Sequence, residues 1–303
     1  MANFIDIDKI STKDLNDIIA LAINIKKDLK SEGLKLKPLL GKHLAMIFEK
    51  PSTRTRTSFE VGINQLGGHA IIITAENSQL GRGETVADTA KVLSRYVDLI
   101  MARCFKHEMI LELAEYASVP IINGLTDFSH PCQVMADIMT YIEHRGDIKG
   151  KKIAWLGDGN NMAHSWIHAA VQFGFTLHLA TPKNLSPSYD LLKWAANFKN
   201  SVILTTNPQD AAKNADLVTT DTWVSMGDKE AESRYKSLKS YQVNKQIMSL
   251  AKKDALFMHC LPAHRGEEVT DEVIDGKNSV VFDEAENRLH IQKAIMIWCL
   301  KNS

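Results

Sequence analysis

The chain has 303 residues, of which 45% are hydrophobic and 24% are charged. This length exceeds what one hydrophobic core usually serves, so it predicts two domains. Lysine plus arginine and aspartate plus glutamate both number 36, which leaves a formal net charge of zero. That balance disfavours bulk attraction to nucleic acid or to a membrane surface, and any anion site has to be local.

The cysteines and the N-terminus indicate the compartment. Cys104, Cys132, Cys260 and Cys299 show no C-x-x-C spacing. No apolar run approaches the ~20 residues that span a bilayer, and Met1 leads into no apolar signal segment. These features predict a cytoplasmic protein with reduced thiols.

The first half alternates predicted strands and helices. A capping box at 11–14 opens the first helix. Apolar segments predict strands at 44–48, 69–73, 99–102 and 120–123. Helical spacing of apolar residues predicts further helices at 57–66, 86–96, 108–117 and 134–144. Strands that alternate with helices indicate a parallel α/β domain.

The second half repeats this alternation. Strands are predicted near 153–156, 177–180, 202–204, 217–220, 256–258 and 280–282. The glycine-containing turn at 145–150 is the natural junction, so the predicted domains are 1–146 and 147–284. A final helix, about 285–303, is predicted to pack back on the first domain. The predicted fold class is α/β, with two parallel-sheet domains and an active site in the cleft between them.

Polar residues recur where the predicted strands end. Ligands of parallel α/β sheets bind beyond the carboxyl ends of the strands, so these residues are candidates for one site. They are Arg54, Arg103 and His130 in the first half, and Asn160, Asn161, Asp221, His259 and Cys260 in the second.

The segment 52–56 lies between a strand and a helix. Backbone N–H groups at a helix start, hydroxyl groups and an arginine fork together suit a phosphate dianion. An ordinary helix cap with two solvated arginines is the alternative. Arg54 and Arg56 are about 200° apart around a helix. We therefore predict that Arg54 binds the anion and that Arg56 is structural.

The segment 157–162 resembles a glycine-rich dinucleotide turn. Two features disfavour that interpretation: Met162 occupies the third glycine position, and the strand at 177–180 ends without the acidic residue that holds a ribose. The pattern favours a backbone turn that offers Asn161 to a polar substrate.

Five motifs, in order along the chain, resemble the aspartate/ornithine carbamoyltransferase family. They are Ser52-Thr53-Arg54-Thr55-Arg56, His130-Pro131-Cys132-Gln133, Asp221-Thr222-Trp223-Val224-Ser225-Met226-Gly227, Met258-His259-Cys260-Leu261-Pro262 and the block from Asp283 to His290. The third and fourth motifs resemble the ornithine branch, because aspartate-specific members typically have His-Pro-Leu-Pro in place of His-Cys-Leu-Pro.

The resemblance implies carbamoyl transfer from carbamoyl phosphate to L-ornithine, giving L-citrulline and phosphate. Catalytic roles are implied for Asp221, Cys260, Arg103 and His130. Carbamoyl-phosphate binding is implied for Ser52, Thr53, Arg54, Thr55, Gln79, Arg103, His130, Gln133, Cys260, Leu261 and Arg288. Ornithine binding is implied for Asn161, Asp221, Ser225 and Met226. The family needs no metal or organic cofactor and forms homotrimers, in which Gln79 reaches a neighbouring subunit's site.

Two alternatives stay open at the level of sequence. A carbamoyltransferase for putrescine or an acylated ornithine would keep the first domain and change the loop at 221–227. A non-enzymatic binding protein of the same fold would have no need for His130 and Cys260 together. The sequence also leaves open which group takes the proton of the attacking amine. It does not distinguish arginine biosynthesis from the catabolic arginine deiminase route.

Overall fold

The computed structural model describes residues 1–32, 37–74, 83–224 and 231–303. The chain divides into two compact units. The first comprises Met1–Met139 and Asn287–Ser303, and the second comprises Thr140–Glu286. Gln79, Ser225 and Met226, which the sequence assigns to the site, lie outside the described residues.

A parallel sheet organises the first unit. Its strands are β1 (His43–Phe48), β2 (His69–Thr74), β3 (Leu99–Arg103) and β4 (Ile121–Leu125). Their order is β2-β1-β3-β4, and every pairing is parallel. The side chains of β1 from Leu44 onward are buried, as expected for a central strand that is covered on both faces.

Helices connect these strands. They are α1 (Thr12–Glu32), α2 (Thr53–Gln65), α3 (Val86–Leu93), α4 (His107–Tyr116) and α5 (Pro131–Arg145). Of the capping box predicted for α1, the N-cap bond is confirmed. The Asp14 backbone N–H donates to Ser11 Oγ over 3.1 Å, and this hydroxyl donates to the Asp14 carboxylate over 2.6 Å.

A second parallel sheet organises the second unit. Its strands are β5 (Lys152–Leu156), β6 (Thr176–Ala180), β7 (Val202–Thr205), β8 (Leu217–Thr220) and β9 (Leu256–His259). Their order is β7-β6-β5-β8-β9, again with parallel pairing throughout. The remaining helices are α6 (Asn161–Phe173), α7 (Tyr189–Ala195), α8 (Pro208–Ala212), α9 (Ala231–Leu238), α10 (Lys245–Leu250), α11 (Asp271–Ile274) and α12 (Val281–Lys301).

Both sheets have a topological switch point beside the first strand of the unit. In the first sheet it lies between β1 and β3, and in the second between β5 and β8. Connections leave such neighbouring strands in opposite directions, which opens a crevice at their carboxyl ends. The two α/β sheets confirm the predicted fold class, and they place the segments after β1, β3, β5 and β8 where ligands bind.

The strand predicted at 280–282 is wrong. Ser279 makes an isolated bridge to Phe257, and the Val280 N–H donates to the Phe257 carbonyl over 3.0 Å. Helix α12 then begins at Val281. Phe282 is 68% exposed, so the apolar triplet does not face a core on both sides. Acidic residues in the first turn also suit a helix N-terminus.

The boundary between the units differs from the predicted junction after residue 146. The second unit begins at Thr140, inside α5, because the end of this helix bonds to that unit. The Arg145 guanidinium donates to the Asp254 carbonyl over 2.8 and 3.1 Å. His144 and Asp283 approach to 2.9 Å. The second unit extends to Glu286, and the rest of α12 belongs to the first.

Candidate active site

The first group of site residues begins at the N-terminus of α2. Ser52 has extended backbone angles and caps the helix, because its Oγ accepts the Thr55 N–H over 3.2 Å. Thr53 and Arg54 are exposed at this helix start. Arg56 is also exposed, and its Nε lies 3.6 Å from the Glu60 carboxylate one turn later. The helix start therefore presents N–H groups, hydroxyl groups and the Arg54 side chain to solvent.

Two arginines converge on the buried hydroxyl of Thr55. Arg103 donates to Thr55 Oγ1 over 3.0 Å, and Arg288 donates to the same oxygen over 2.9 Å. Arg288 also donates to Gln133 Oε1, and the Gln133 amide donates to Asp137 over 2.8 Å. These contacts hold two cationic groups together in the first unit, and that arrangement suits an anion.

His130 lies at the start of α5, and its side chain is buried. Its carbonyl accepts the Gln133 N–H over 3.2 Å in the first turn. The His130 pKa is lowered well below its ordinary value of 6.5, because burial disfavours the charged ring and both Arg288 and Arg103 repel it. The imidazole is therefore neutral at pH 7, and it retains one N–H that can donate to an oxygen.

The second group surrounds the carboxylate of Asp221, which follows β8. One oxygen accepts from the Asn160 amide over 2.9 Å. The other accepts from Cys260 Sγ over 3.2 Å and from the Thr222 N–H over 2.8 Å. An acidic group and a half-buried thiol are thus in direct contact, which suits binding an amine and moving its proton.

Asn160 was a candidate by its position after β5, but the ornithine-binding role was predicted for its neighbour Asn161. Its Oδ1 caps α6 by accepting from the Met162 and Ala163 N–H groups over 3.0 and 3.2 Å, which leaves its amide nitrogen for Asp221. Asn161, the residue that was predicted, is the first residue of α6. The preference of asparagine for the N-cap position is the sequence signal that identifies Asn160.

The glycine-rich turn before α6 has a packing function. A Cβ at Gly159 would collide with the backbone of Leu185 and Pro187. Gly157 has a φ of 140°, which favours glycine. The turn allows close approach of the chain and orients Asn160, so both glycines are explained without a dinucleotide.

The backbone beside Cys260 is held by buried groups. Leu261 has a φ of 54°, and its N–H donates to His259 Nδ1 over 2.9 Å. His259 Nε2 therefore carries the hydrogen, which it donates to Glu268 over 3.1 Å. The His259 backbone N–H donates to Glu284 over 2.9 Å. The sequence did not indicate Glu268, and it placed Glu284 in the fifth motif without a role, because no periodicity predicts which residue contacts His259.

Among the described residues, two groups of side chains have the donor types of a metal site. They are Asp221 with His259 and Cys260, and His264 with Glu267 and Glu268. In the first group, the thiol donates to Asp221, and His259 Nδ1 accepts a backbone N–H. These ligand atoms are thus engaged within the protein. No helix in the described part of the chain is long and apolar enough to cross a membrane.

Two family models match the chain, and they identify its class. The chain belongs to the aspartate/ornithine carbamoyltransferase family. Residues 2–143 match the family's carbamoyl-P binding domain, and residues 149–299 match its Asp/Orn binding domain.

Individual relatives point to the ornithine branch. The ornithine carbamoyltransferase of Rhodopseudomonas palustris (strain BisA53) is 61% identical over 301 residues, covering 98% of this chain and 96% of the relative. The solved ornithine carbamoyltransferase from Pyrococcus furiosus is 50% identical with a TM-score of 0.95, covering 99% of this chain and 97% of that one. The anabolic ornithine carbamoyltransferase from Campylobacter jejuni is 40% identical with a TM-score of 0.92. The match covers 100% of this chain and 99% of that one.

Proposed function

We propose that this chain transfers the carbamoyl group of carbamoyl phosphate to the side-chain amine of L-ornithine, giving L-citrulline and phosphate. The observation that carries the proposal is the contact of Cys260 with Asp221, over 3.2 Å. Both residues belong to motifs that are typical of the ornithine branch. Relatives named ornithine carbamoyltransferase match nearly the whole chain at up to 61% identity, which supports the same acceptor.

In this proposal the first unit binds the anionic donor. Ser52, Thr53, Arg54 and Thr55 bind the phosphate at the N-terminus of α2, where N–H groups and partial positive charge favour an anion. Arg103 bridges the phosphate and the carbamoyl oxygen. Gln79 completes the phosphate site of a neighbouring subunit.

The carbamoyl group is held by His130, Gln133 and Arg288, with Cys260 and Leu261 beside the reacting carbon. Negative charge develops on the carbamoyl oxygen when the amine attacks. A neutral His130 that donates a hydrogen bond to this oxygen stabilises the transition state more than the ground state. The lowered pKa of His130 supports this role, because it keeps the ring in its neutral form.

Asn161, Asp221, Ser225 and Met226 bind ornithine. An alkyl ammonium group has a pKa of about 10.4, so presenting the neutral amine at pH 7 costs about 4–5 kcal/mol. The new nitrogen–carbon bond forms while the carbon–oxygen bond to phosphate breaks, and phosphate leaves with that electron pair. The Asp221 carboxylate, with the Cys260 thiol as a relay, accepts the proton from nitrogen.

A substrate panel tests this proposal. The purified protein is incubated with carbamoyl phosphate and, separately, with ornithine, putrescine, N-acetylornithine or aspartate, and the ureido product is measured colorimetrically. We expect citrulline from ornithine and a kcat/KM at least about a hundredfold lower for each other amine, the discrimination expected where buried polar groups would be left unpaired. Preference for putrescine or N-acetylornithine would instead support the sister enzymes. No product with any amine would support a binding protein.

We further propose a cytoplasmic homotrimer that serves arginine biosynthesis. Light scattering should give three times the chain mass of 33.8 kDa. Expression in an ornithine carbamoyltransferase-deficient strain should restore growth without arginine. A monomeric mass, or rescue only of arginine breakdown, would contradict this assembly or this route.

A further inference from the structure

The N-terminal segment of the chain joins the sheet of the first unit beside β4. The Phe4 N–H donates to the Ile121 carbonyl over 2.8 Å, and the Asn123 N–H donates to the Phe4 carbonyl over 2.8 Å. This pairing fixes the backbone just before Asp6. Asp6 is only 3% exposed, although a buried carboxylate is costly unless it is paired.

Asp6 is paired with His107, the first residue of α4. Its carboxylate lies 3.3 Å from His107 Nε2, and the His107 backbone N–H donates to Asp127 over 3.1 Å. The histidine ring also packs against Phe128, with ring centroids 5.0 Å apart. The ring is thus held from one side by the N-terminal segment and from the other by the loop after β4.

The second ring nitrogen of His107 contacts that loop at Thr126. Nδ1 lies 3.0 Å from Thr126 Oγ1. The same hydroxyl oxygen accepts the N–H groups of Phe128 and Ser129 over 3.3 and 3.2 Å. The Thr126 N–H donates to the Ser129 carbonyl over 2.9 Å. Thr126 therefore closes the turn at 126–129, and the next residue is His130.

The contacts of Thr126 favour one direction for the bond to His107. Two backbone N–H groups donate to Oγ1, so the hydroxyl is better suited to donate its hydrogen to His107 Nδ1 than to accept a third one. The imidazole then carries its hydrogen on Nε2, the nitrogen that lies 3.3 Å from the Asp6 carboxylate. His107 thus connects a buried carboxylate to the hydroxyl that shapes the turn.

We propose that Asp6 and His107 are positioning residues for carbamoyl transfer. They hold Thr126 and the 126–129 turn so that the His130 ring is aimed at the carbamoyl oxygen. This inference rests on the proposed function, in which His130 donates to that oxygen. Neither residue lies in the five sequence motifs described above, and neither contacts substrate in this proposal.

Two substitutions of His107 test the inference. His107→Leu removes both ring contacts, whereas the amide of His107→Gln can donate to Asp6 and accept from Thr126. For His107→Leu we expect kcat to fall between about tenfold and a hundredfold, the effect of a misplacement near 1 Å. The KM for ornithine should change by less than about twofold, because Asp221 and its neighbours are untouched. His107→Gln should recover most of the lost kcat.

His43→Leu is the matched control in the same unit. His43 also lies beside an aspartate, with Nδ1 3.9 Å from Asp98, but at the amino end of β1, away from the ligand-binding edge. Its kinetics should match those of the wild type. Asp6→Asn should also lower kcat. In the double variant with His107→Leu, the loss of kcat should be smaller than the two single losses combined, because both substitutions remove the same contact.

The outcomes separate this inference from the function on which it rests. A wild-type protein that makes no citrulline would reject the proposed function. If the wild type is active, two results would overturn the inference. One is an unchanged kcat in folded His107→Leu, and the other is an equal loss of kcat in His107→Leu and His107→Gln. If His107→Leu does not fold, the kcat values of Asp6→Asn and His107→Gln are compared instead. The inference requires a lowered kcat in Asp6→Asn and a nearly wild-type kcat in His107→Gln. A wild-type kcat in Asp6→Asn, with or without a lowered melting temperature, means a merely structural role.

Discussion

The group around Thr55 and the group around Asp221 occupy equivalent places in two similar sheets, yet their chemistry is opposite. Around Thr55, two guanidinium groups donate to one hydroxyl oxygen. Around Asp221, an amide, a thiol and a backbone N–H donate to one carboxylate. The parallel α/β topology decides where a ligand binds, whereas the side chains after the strands decide which charge it carries.

The pKa of a titratable group beside the two arginines shows this difference. Burial lowers the pKa of the His130 ring, and Arg288 and Arg103 lower it further, so the first group already opposes any further positive charge. Such a site favours a dianion and a developing oxyanion. The second group offers acceptors, and these favour an ammonium group and its proton. We therefore expect substitutions around Thr55 to change mainly the binding of carbamoyl phosphate. Substitutions around Asp221 should change mainly the reaction of the amine.

Asp221→Asn should have the largest effect on turnover. The amide keeps the shape but loses the negative charge to which the proposal assigns the proton of the amine. We expect kcat to fall about a hundredfold, which corresponds to about 2.7 kcal/mol in the barrier. Stopped assays for citrulline measure kcat, and calorimetry measures the Kd for carbamoyl phosphate, which should stay within about twofold.

The exposed Asp190, in the first turn of α7, provides the control. Asp190→Asn should leave both quantities unchanged. A large loss of carbamoyl-phosphate affinity in Asp221→Asn would break the division of substrates between the two groups.

Arg54→Lys should have the next largest effect, and it acts on the donor. Lysine keeps the charge but loses the planar fork that matches a phosphate. We expect the Kd for carbamoyl phosphate to rise about thirtyfold, about 2 kcal/mol. Arg56→Lys is the control, because Arg56 lies beside Glu60 on the same helix, and it should change this Kd by less than about twofold. Equal losses in the two variants would contradict the roles assigned around α2.

Cys260→Ser should reduce turnover by about tenfold, or ~1.4 kcal/mol. Serine is nearly isosteric, but its hydroxyl cannot ionise near neutral pH as a perturbed thiol can. Folding and the Kd for carbamoyl phosphate should be retained. A variant with full activity and an unchanged pH–rate profile would reduce this cysteine to packing.

Thiol alkylation sharpens the same test, since it should inactivate the wild type and bound substrates should protect it. Cys104, Cys132 and Cys299 are buried, and burial raises the pKa of Cys104 and Cys132 to about 12. Cys104→Ser and Cys299→Ser should therefore be inactivated at the wild-type rate. Inactivation that persists in Cys260→Ser would assign the reactive thiol elsewhere.

The smallest predicted effect is on stability and concerns His130. Because its folded pKa lies below the ordinary value of 6.5, the unfolded chain binds this proton more readily than the folded one. Stability from this group is therefore fully present above pH 6.5 and is lost as the pH falls toward the folded pKa. The slope cannot exceed about 1.4 kcal/mol per pH unit for one proton.

Urea unfolding at pH 7.5 and 5.5 measures this effect. His130→Gln, which does not titrate, should lose less stability between the two pH values than the wild type. Identical losses in the two proteins would show that the folded state does not hold this ring neutral.

Local features of the chain were predictable, because the interactions that form them lie within one turn. The N-cap bonds at Ser11 and Ser52 each join residues three positions apart. The predicted strand at 280–282 was wrong because an apolar triplet suits a strand or a helix equally. The exposure of Phe282 decided between them, and exposure depends on the packed structure.

The motifs by themselves determined the family and the types of residue in each group, but not which atoms meet. Thr55 contacts Arg103 and Arg288 at separations of 48 and 233 residues, which no local pattern encodes. The residue that donates to Asp221 is Asn160, whereas the ornithine-binding role was predicted for its neighbour Asn161. Asp6 and His107 lie outside the five sequence motifs. The reason is physical: caps and periodicity reflect neighbours along the chain, whereas the ring of His107 acquires its partners only when strands that are distant in sequence pack side by side.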